Sequence, residues 1–192
     1  GLGIVLPEVE ISVANAQPGD RILLNGGLGE HGIAILSQRE GLGFEAEVIS
    51  DTAPLNTLVA ELLRKEPATV HTLRDLTRGG LAAVTNEIAR SSGVDLNLEE
   101  EKIPLKPVVI AAGELLGLDP LYLANEGKFI ACVEPSKADN ILAIMRNHPY
   151  GRQAQSIGWV EKKHEGKVYL KTSIGGTRII DDPEGELLPR IC

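Results

Sequence analysis

The sequence predicts an α+β fold, a mixed sheet with helices packed on it and not a doubly wound parallel sheet. Three observations predict it. Helical and strand periodicities interleave along the 192 residues. Lys128–Val133 (KFIACV) is apolar at consecutive positions, the pattern of a strand covered on both faces. Ala154–Thr172 alternates and contains Glu165-Gly166, a hairpin turn signal that brings antiparallel pairing.

The elements follow in order. Gly1 to Gly19 is loosely patterned and reads as a linker or edge segment (residues 1–18) ahead of one domain over 19–180. Asp20–Asn25 (DRILLN) is a short apolar strand running into Gly26, Gly27 and Gly29, and a helix is expected from His31 to near Gly41. Leu55, Leu58, Val59, Leu62 and Leu63 repeat at helical spacing, with Arg64 and Lys65 where they complement the helix dipole. Val70–Arg74 reads as a strand, and a second amphipathic helix runs from about Gly79 to Gly93. Pro107 opens a nearly all-apolar, buried helix through Leu116. Pro135–His148 gives a further helix burying Ile141, Leu142 and Met145, and Ser173–Ile180 a last strand or edge piece. Residues 181–192 form a polar, flexible tail with Pro183, Pro189 and a terminal Cys192.

Composition narrows the function. A net charge of −8 argues against sequence-independent binding to nucleic-acid phosphates or anionic membranes. Aromatic content of 3% is too low for a base-stacking platform. No apolar run spans a bilayer, and Gly1–Pro7 lacks the basic flank of a signal peptide. Two cysteines, Cys132 in an apolar run and Cys192 at the end, do not make a disulfide framework, so a reducing, cytoplasmic setting is expected. His31, His71, His148 and His164 show no ligand spacing, and no protein-built metal site is expected.

Four segments carry candidate chemistry. Asn25 to Gly32, with Gly26, Gly29, His31 and Gly32, joins a strand to a helix start. It reads equally as an anion cradle or as a tight connection, and matches neither GxGxxG nor a P-loop. In Asp75-Leu76-Thr77-Arg78-Gly79-Gly80-Leu81, Asp75 or Thr77 is placed to cap the next helix. There Arg78 offers a donor fork, and Gly79-Gly80 admits a ligand or another backbone. Asn125-Glu126-Gly127 puts a carboxylate beside the central strand, as a general base or a solvated turn acid. Pro189-Arg190-Ile191-Cys192 ends in a thiol that a mobile tail can carry, or in an incidental cysteine.

Together, GDRILLNGGLGEHGIAIL, DLTRGGLAAVTNEIA, LYLANEGKF and the PRIC ending resemble the HypE family of hydrogenase-maturation proteins. That family lies within the aminoimidazole-ribonucleotide synthetase (PurM-like) superfamily, and the resemblance runs from about Pro18 to Cys192. The glycine loop and the Asp75–Leu81 block are superfamily-level signals, whereas the PRIC ending is specific. The resemblance implies a PurM C-terminal-domain-like fold. It implies that HypF delivers a carbamoyl group to Cys192, and that ATP drives its dehydration to a thiocyanate. Cyanide would then pass to iron on the HypC–HypD complex. It makes Cys192 the carrier and Glu126 the base or proton relay. Gly26, Gly29, His31, Gly32, Asp75, Thr77, Arg78, Gly79, Gly80 and Asn125 would line the cleft for nucleotide phosphates or the tail. Most ATP and Mg2+ contacts and the homodimer interface are expected from an N-terminal half that this chain lacks, so the chain alone is expected to be inactive. The alternatives are the C-terminal domain of another PurM-like synthetase, such as selenophosphate synthetase, or a non-catalytic interaction module.

Overall fold

The structure, a computed structural model, describes residues 9–40, 48–162 and 165–183. Segment 184–192 with Cys192, the opening 1–8, the expected helix end at Gly41, and His164 lie outside the described residues.

Seven strands form one sheet: β1 (Arg21–Leu24), β2 (Val70–Asp75), β3 (Asp95–Glu99), β4 (Phe129–Val133), β5 (Gln155–Glu161), β6 (Val168–Lys171) and β7 (Thr177–Ile179), in the order β2-β4-β1-β5-β3-β6-β7. Every pairing is antiparallel except β3 with β6. Five α-helices accompany it: α1 (Glu30–Glu40), α2 (Asn56–Lys65), α3 (Gly80–Ser92), α4 (Pro107–Leu116) and α5 (Ala138–Asn147).

Strand alternation sorts the core onto two faces. Ile22 and Leu24 of β1, with Ile130 and Cys132 of β4, meet Leu81, Val84 and Ile88 of α3. Their neighbours Leu23, Phe129, Ala131 and Val133 point the other way, onto Leu58 and Leu62 of α2 and Ile141, Leu142 and Met145 of α5. The middle of the sheet is therefore covered twice, which is why KFIACV carries no polar face. A third cluster joins Ile33 and Leu36 of α1 to Val109 and Ala112 of α4 through Leu123.

Four expectations change. The expected 154–172 hairpin does not form, because β3 lies between β5 and β6 and pairs with both. Gly166 does turn the chain, at φ +66°, but it connects strands that are not neighbours. Strand β3 (DLNLE) has an alternating pattern short enough to pass as a loop after Gly93. Helix α4 is not buried all round: Val109, Ala112 and Gly113 face inward while Ile110 and Leu115 are exposed. Neither Asp75 nor Thr77 caps α3, whose N-cap is Gly79 at φ +68° with no side-chain cap.

The Gly79-Gly80 pair admits backbone, not ligand. Gly80 sits at φ +62°, and a Cβ there would fall 2.5 Å from the Leu123 carbonyl oxygen and 2.6 Å from that of Leu121. Gly93 closes α3 at φ +63° with nothing within 4 Å of such a Cβ. Both positions pay the left-handed strain of about 1–2 kcal/mol on substitution by alanine, but only Gly80 adds a backbone clash. Gly80→Ala is therefore expected to lower the urea midpoint of this chain well beyond Gly93→Ala. Equal shifts would show that the approach of α3 to residues 121–123 is not tight.

Candidate functional site

The segment Leu121–Lys128 gathers the separate motifs. The buried side chain of Asn125 accepts the Gly29 amide at 2.8 Å and donates to the Leu123 carbonyl at 2.9 Å and to that of Leu76 at 3.3 Å. The backbone of Asn125 also donates to Leu76 O, Leu76 N to Lys128 O, and Gly32 N to Ala124 O. With Gly80 against Leu121 and Leu123, the glycine loop, the Asp75–Leu81 block and the Asn125-Glu126-Gly127 turn form one contiguous unit.

Several of the loop amides are committed to this packing. Leu28 N donates to Pro104 O, Gly29 N to Asn125, and Asn25 N to Phe129 O. At the start of α1, Glu30 is paired with Lys106, which places negative charge where a phosphate would bind. These bonds support the tight-connection reading of Asn25–Gly32. Arg78 is exposed and makes no hydrogen bond or ion pair among the described residues. Burial alone would raise the Asp75 carboxyl, but the Thr77 hydroxyl and the Arg74 guanidinium outweigh it and hold the group below its ordinary value. Thr77 thus serves Asp75 instead of capping α3.

Glu126 stands at the edge of this unit, partly exposed, and is fixed from behind by residues that the motifs did not flag. Its amide donates to Asp51 Oδ1 at 3.1 Å. The other Asp51 oxygen lies 3.0 Å from Lys128 Nζ, an ion contact without aligned hydrogen-bond geometry, with the Asp51 side chain buried and that of Lys128 mostly so. Gly127 has no room for a side chain, because a Cβ would lie 2.0 Å from Asp51 O. The 48–53 segment is thereby clamped onto the Glu126 turn. Such a buried pair contributes little net stability but fixes geometry. His31 completes the group. Its Nδ1 is 2.8 Å from Ser50 Oγ, and its Nε2 is 4.0 Å from Glu126 Oε1. Asp51 and Ser50 were missed because no short motif contains them, and only the fold brings residues 50–51 to residue 126; Lys128 lies inside LYLANEGKF but was not singled out as a site residue.

A divalent cation is not accommodated by these donors. Asp51 is engaged by Lys128 and Glu30 by Lys106, and no group of three or more His, Cys, Asp or Glu fit for a metal exists among the described residues. The arrangement instead offers one partly exposed carboxylate, rigidly mounted, with an imidazole behind it. Such a pair can accept protons from a substrate presented at its open side.

The beginning of the tail is also anchored. Ile180 O accepts Asn86 Nδ2 at 2.9 Å, Asp181 O accepts the Tyr122 hydroxyl, and Asp182 pairs with Arg90. Pro183 lies against Gly79. Residue 183 therefore lies beside the Gly79-Gly80 block. No helix among the described residues is long and apolar enough to cross a membrane.

Residues 17–171 match the family model described as AIR synthase related protein, C-terminal domain. Along its whole length the chain is 53% identical to a protein named carbamoyl dehydratase HypE from Cupriavidus necator, covering 54% of that protein. A crystal structure of the hydrogenase maturation protein HypE in complex with ATP superposes with a TM-score of 0.88 at 44% identity, over 95% of this chain and 55% of that one. A HypE–HypF complex gives 0.85 at 44% identity, over 90% and 56%. The chain thus spans about half the length of the relatives it matches.

Two outcomes are expected. Asn125→Ala leaves Gly29 N without its acceptor and is expected to cost about 1–3 kcal/mol in urea unfolding; a change within about 0.5 kcal/mol would show that Asn125 does not tie the three segments together. Burial pushes the Cys132 thiol up to about 12, despite its contact with Thr72. In Cys192→Ser the folded chain is therefore expected to yield no thiol to Ellman's reagent at pH 8 and the denatured chain one; a reactive thiol in the folded variant would contradict the burial of Cys132.

Proposed function

This chain belongs to the AIR synthase related protein family, as a C-terminal domain, and on that premise we propose that it is the C-terminal part of a carbamoyl dehydratase of the HypE type. The observation that carries the reading is 53% identity over every residue of the chain to a protein of that name. The site geometry supports it, because a mounted carboxylate with a buried imidazole behind it suits the removal of protons from a carboxamide.

In this reading Cys192 is the carrier. HypF donates a carbamoyl group to its sulfur, and the product is a thiocarboxamide, R–S–C(=O)–NH2. Dehydration to R–S–C≡N must expel the oxygen and take both protons from nitrogen. ATP supplies the phosphoryl group with which the oxygen leaves. ATP and its magnesium are assigned mostly to the remainder of the full-length protein in this reading, and the chain alone is expected to complete no dehydration. Glu126 accepts a proton from nitrogen. Asp51, by holding the Glu126 amide, keeps the carboxylate where the tail can present its cargo.

Reach is consistent with this. Cys192 is the ninth residue after Pro183, and a flexible segment of that length would span about 17 Å root mean square. A carrier on such a tether can leave the enclosed site, where water is excluded from the activated carboxamide, and hand its cyanide to the HypC–HypD iron site.

The test is intact-mass analysis of the full-length protein incubated with HypF, carbamoyl phosphate and ATP. A carbamoyl adduct on Cys192 that then loses one water is expected, with no adduct in Cys192→Ser. Glu126→Gln is expected to retain the adduct and to lose water about 10²–10⁴-fold more slowly. An adduct in the serine variant, or an unchanged rate in the glutamine variant, would overturn the respective assignment.

A further inference from the structure

The end of the sheet away from Glu126 carries a histidine that the proposed chemistry does not use. Edge strand β2 bulges at His71: Val70 pairs with Val133 and Thr72 with Cys132, so His71 is the extra residue. A bulge at a sheet edge re-aims the side chain it carries. Here the ring is turned onto Asp20, with Nδ1 3.0 and 2.9 Å from the two carboxylate oxygens. Asp20 is only 2% exposed and also accepts the Gln17 amide at 2.9 Å. The length of β4, roughly 13 Å at about 3.3 Å per residue, separates this pair from the Glu126 turn.

His71 also lines a cavity of about 650 Å³, between segment 10–17 and the residues that lead into β2. That volume lies in the range of small-molecule sites. Its hydrogen-bonding groups decide what it can hold. The amides of the 14–17 wall are all committed: Ala14 N donates to Ser12 Oγ, Asn15 N to Ser12 O, Ala16 N to Ser92 Oγ and Gln17 N to Asp20. Asn15 Nδ2 donates to Glu10 O, and Pro67 has no N–H to offer. Acceptors are what remain. Asn15 Oδ1 and the Glu10 carboxylate have no hydrogen-bond or ion-pair partner among the described residues. Asp20 keeps a hydrogen on Nδ1 of His71, so the neutral ring presents a lone pair at Nε2. Gln17 stands exposed at the rim, with a carboxamide that can serve either role. Among the described residues, no lysine or arginine lines the cavity.

We propose that this cavity binds a small organic cation, an ammonium or guanidinium compound with a short hydrocarbon body. Its N–H groups donate to His71 Nε2, Asn15 Oδ1 and the Glu10 carboxylate, while Ala16, Pro67 and Val70 flank the hydrocarbon. The buried Asp20 carboxylate behind the ring adds negative potential, which favours a cation and disfavours an anion at the same place. A metal ion is served less well. His71 and Glu10 supply one imidazole and one carboxylate, short of the three or four protein ligands that a bound zinc takes. The site shares no residue with the dehydratase reading, so the two stand or fall separately.

The test is calorimetric titration of the full-length protein with putrescine and with agmatine, and with butanediol as the neutral counterpart of putrescine. Saturable binding of at least one of the two amines, one per chain, is expected, with none of the diol. Glu10→Gln is expected to weaken binding on the order of 10-fold, the worth of one hydrogen bond to a charged group. Glu10→Lys sets a fixed cation at the exposed rim, where it does not disturb the core, and is expected to abolish binding. Histidine side-chain NMR supplies a readout that needs no variant to fold differently. Saturation with the amine is expected to shift the Nε2 signal of His71 while Nδ1 keeps its hydrogen. Absence of binding by both amines would overturn the proposal, as would equal binding of the diol. Binding undiminished in Glu10→Lys, or an unmoved His71 Nε2 signal at saturation, would place the amine elsewhere and overturn it too.

Discussion

A single buried amide holds the site together. Asn125 accepts from Gly29 and donates to Leu76 and Leu123, tying three stretches that are far apart in the chain. In an interior of low dielectric, each of these bonds is costly to leave unmade, so the three segments cannot part independently. Gly80 and Gly127 tighten the same unit by letting backbone approach backbone where a side chain would collide. Glycines and an asparagine at such positions read as ligand-binding motifs in sequence, and in the fold they serve first as joinery.

Rigidity is what this joinery supplies to the chemistry. Glu126 is mounted on a turn whose amide is held by Asp51, and Asp51 is fixed in turn by Lys128 and by the absence of a side chain on Gly127. The carboxylate remains partly open while everything behind it is packed. In the proposed reading, a fixed base and a carrier at the end of the chain would divide the work: the domain would supply direction and the terminal segment reach. The twice-covered strands β1 and β4 pass the stiffness of the core to this edge, since both Asn25 and Lys128 adjoin their ends.

Much of this was legible in the sequence, for identifiable reasons. The helical repeat at Leu55–Leu63 and the unbroken apolar run at Lys128–Val133 gave α2 and β4, because burial on one or two faces leaves a direct imprint on composition. Strand β3 was not read because five residues of weak alternation carry little signal. The late hairpin was misread for a different reason. A turn signal at Glu165-Gly166 marks a change of direction but does not say which strand lies alongside, and β3 intervenes. At the site, Asn125, Glu126, Gly29 and His31 were visible as motif residues, and the structure shows Gly29 and Asn125 bonded to each other in packing. Asp51 and Ser50 were invisible, since they matter only through proximity that the fold creates, and the part Lys128 plays in holding Asp51 was hidden for the same reason.

Whether the terminal sulfur's cargo meets the Glu126 carboxylate is tested most directly by a crystal structure of the full-length protein carrying the carboxamide on its last residue, with a non-hydrolysable ATP analogue bound. The carboxamide nitrogen is expected within about 2.6–3.2 Å of a Glu126 oxygen. A carboxamide ordered in another pocket, with Glu126 facing only solvent and His31, would contradict the assignment.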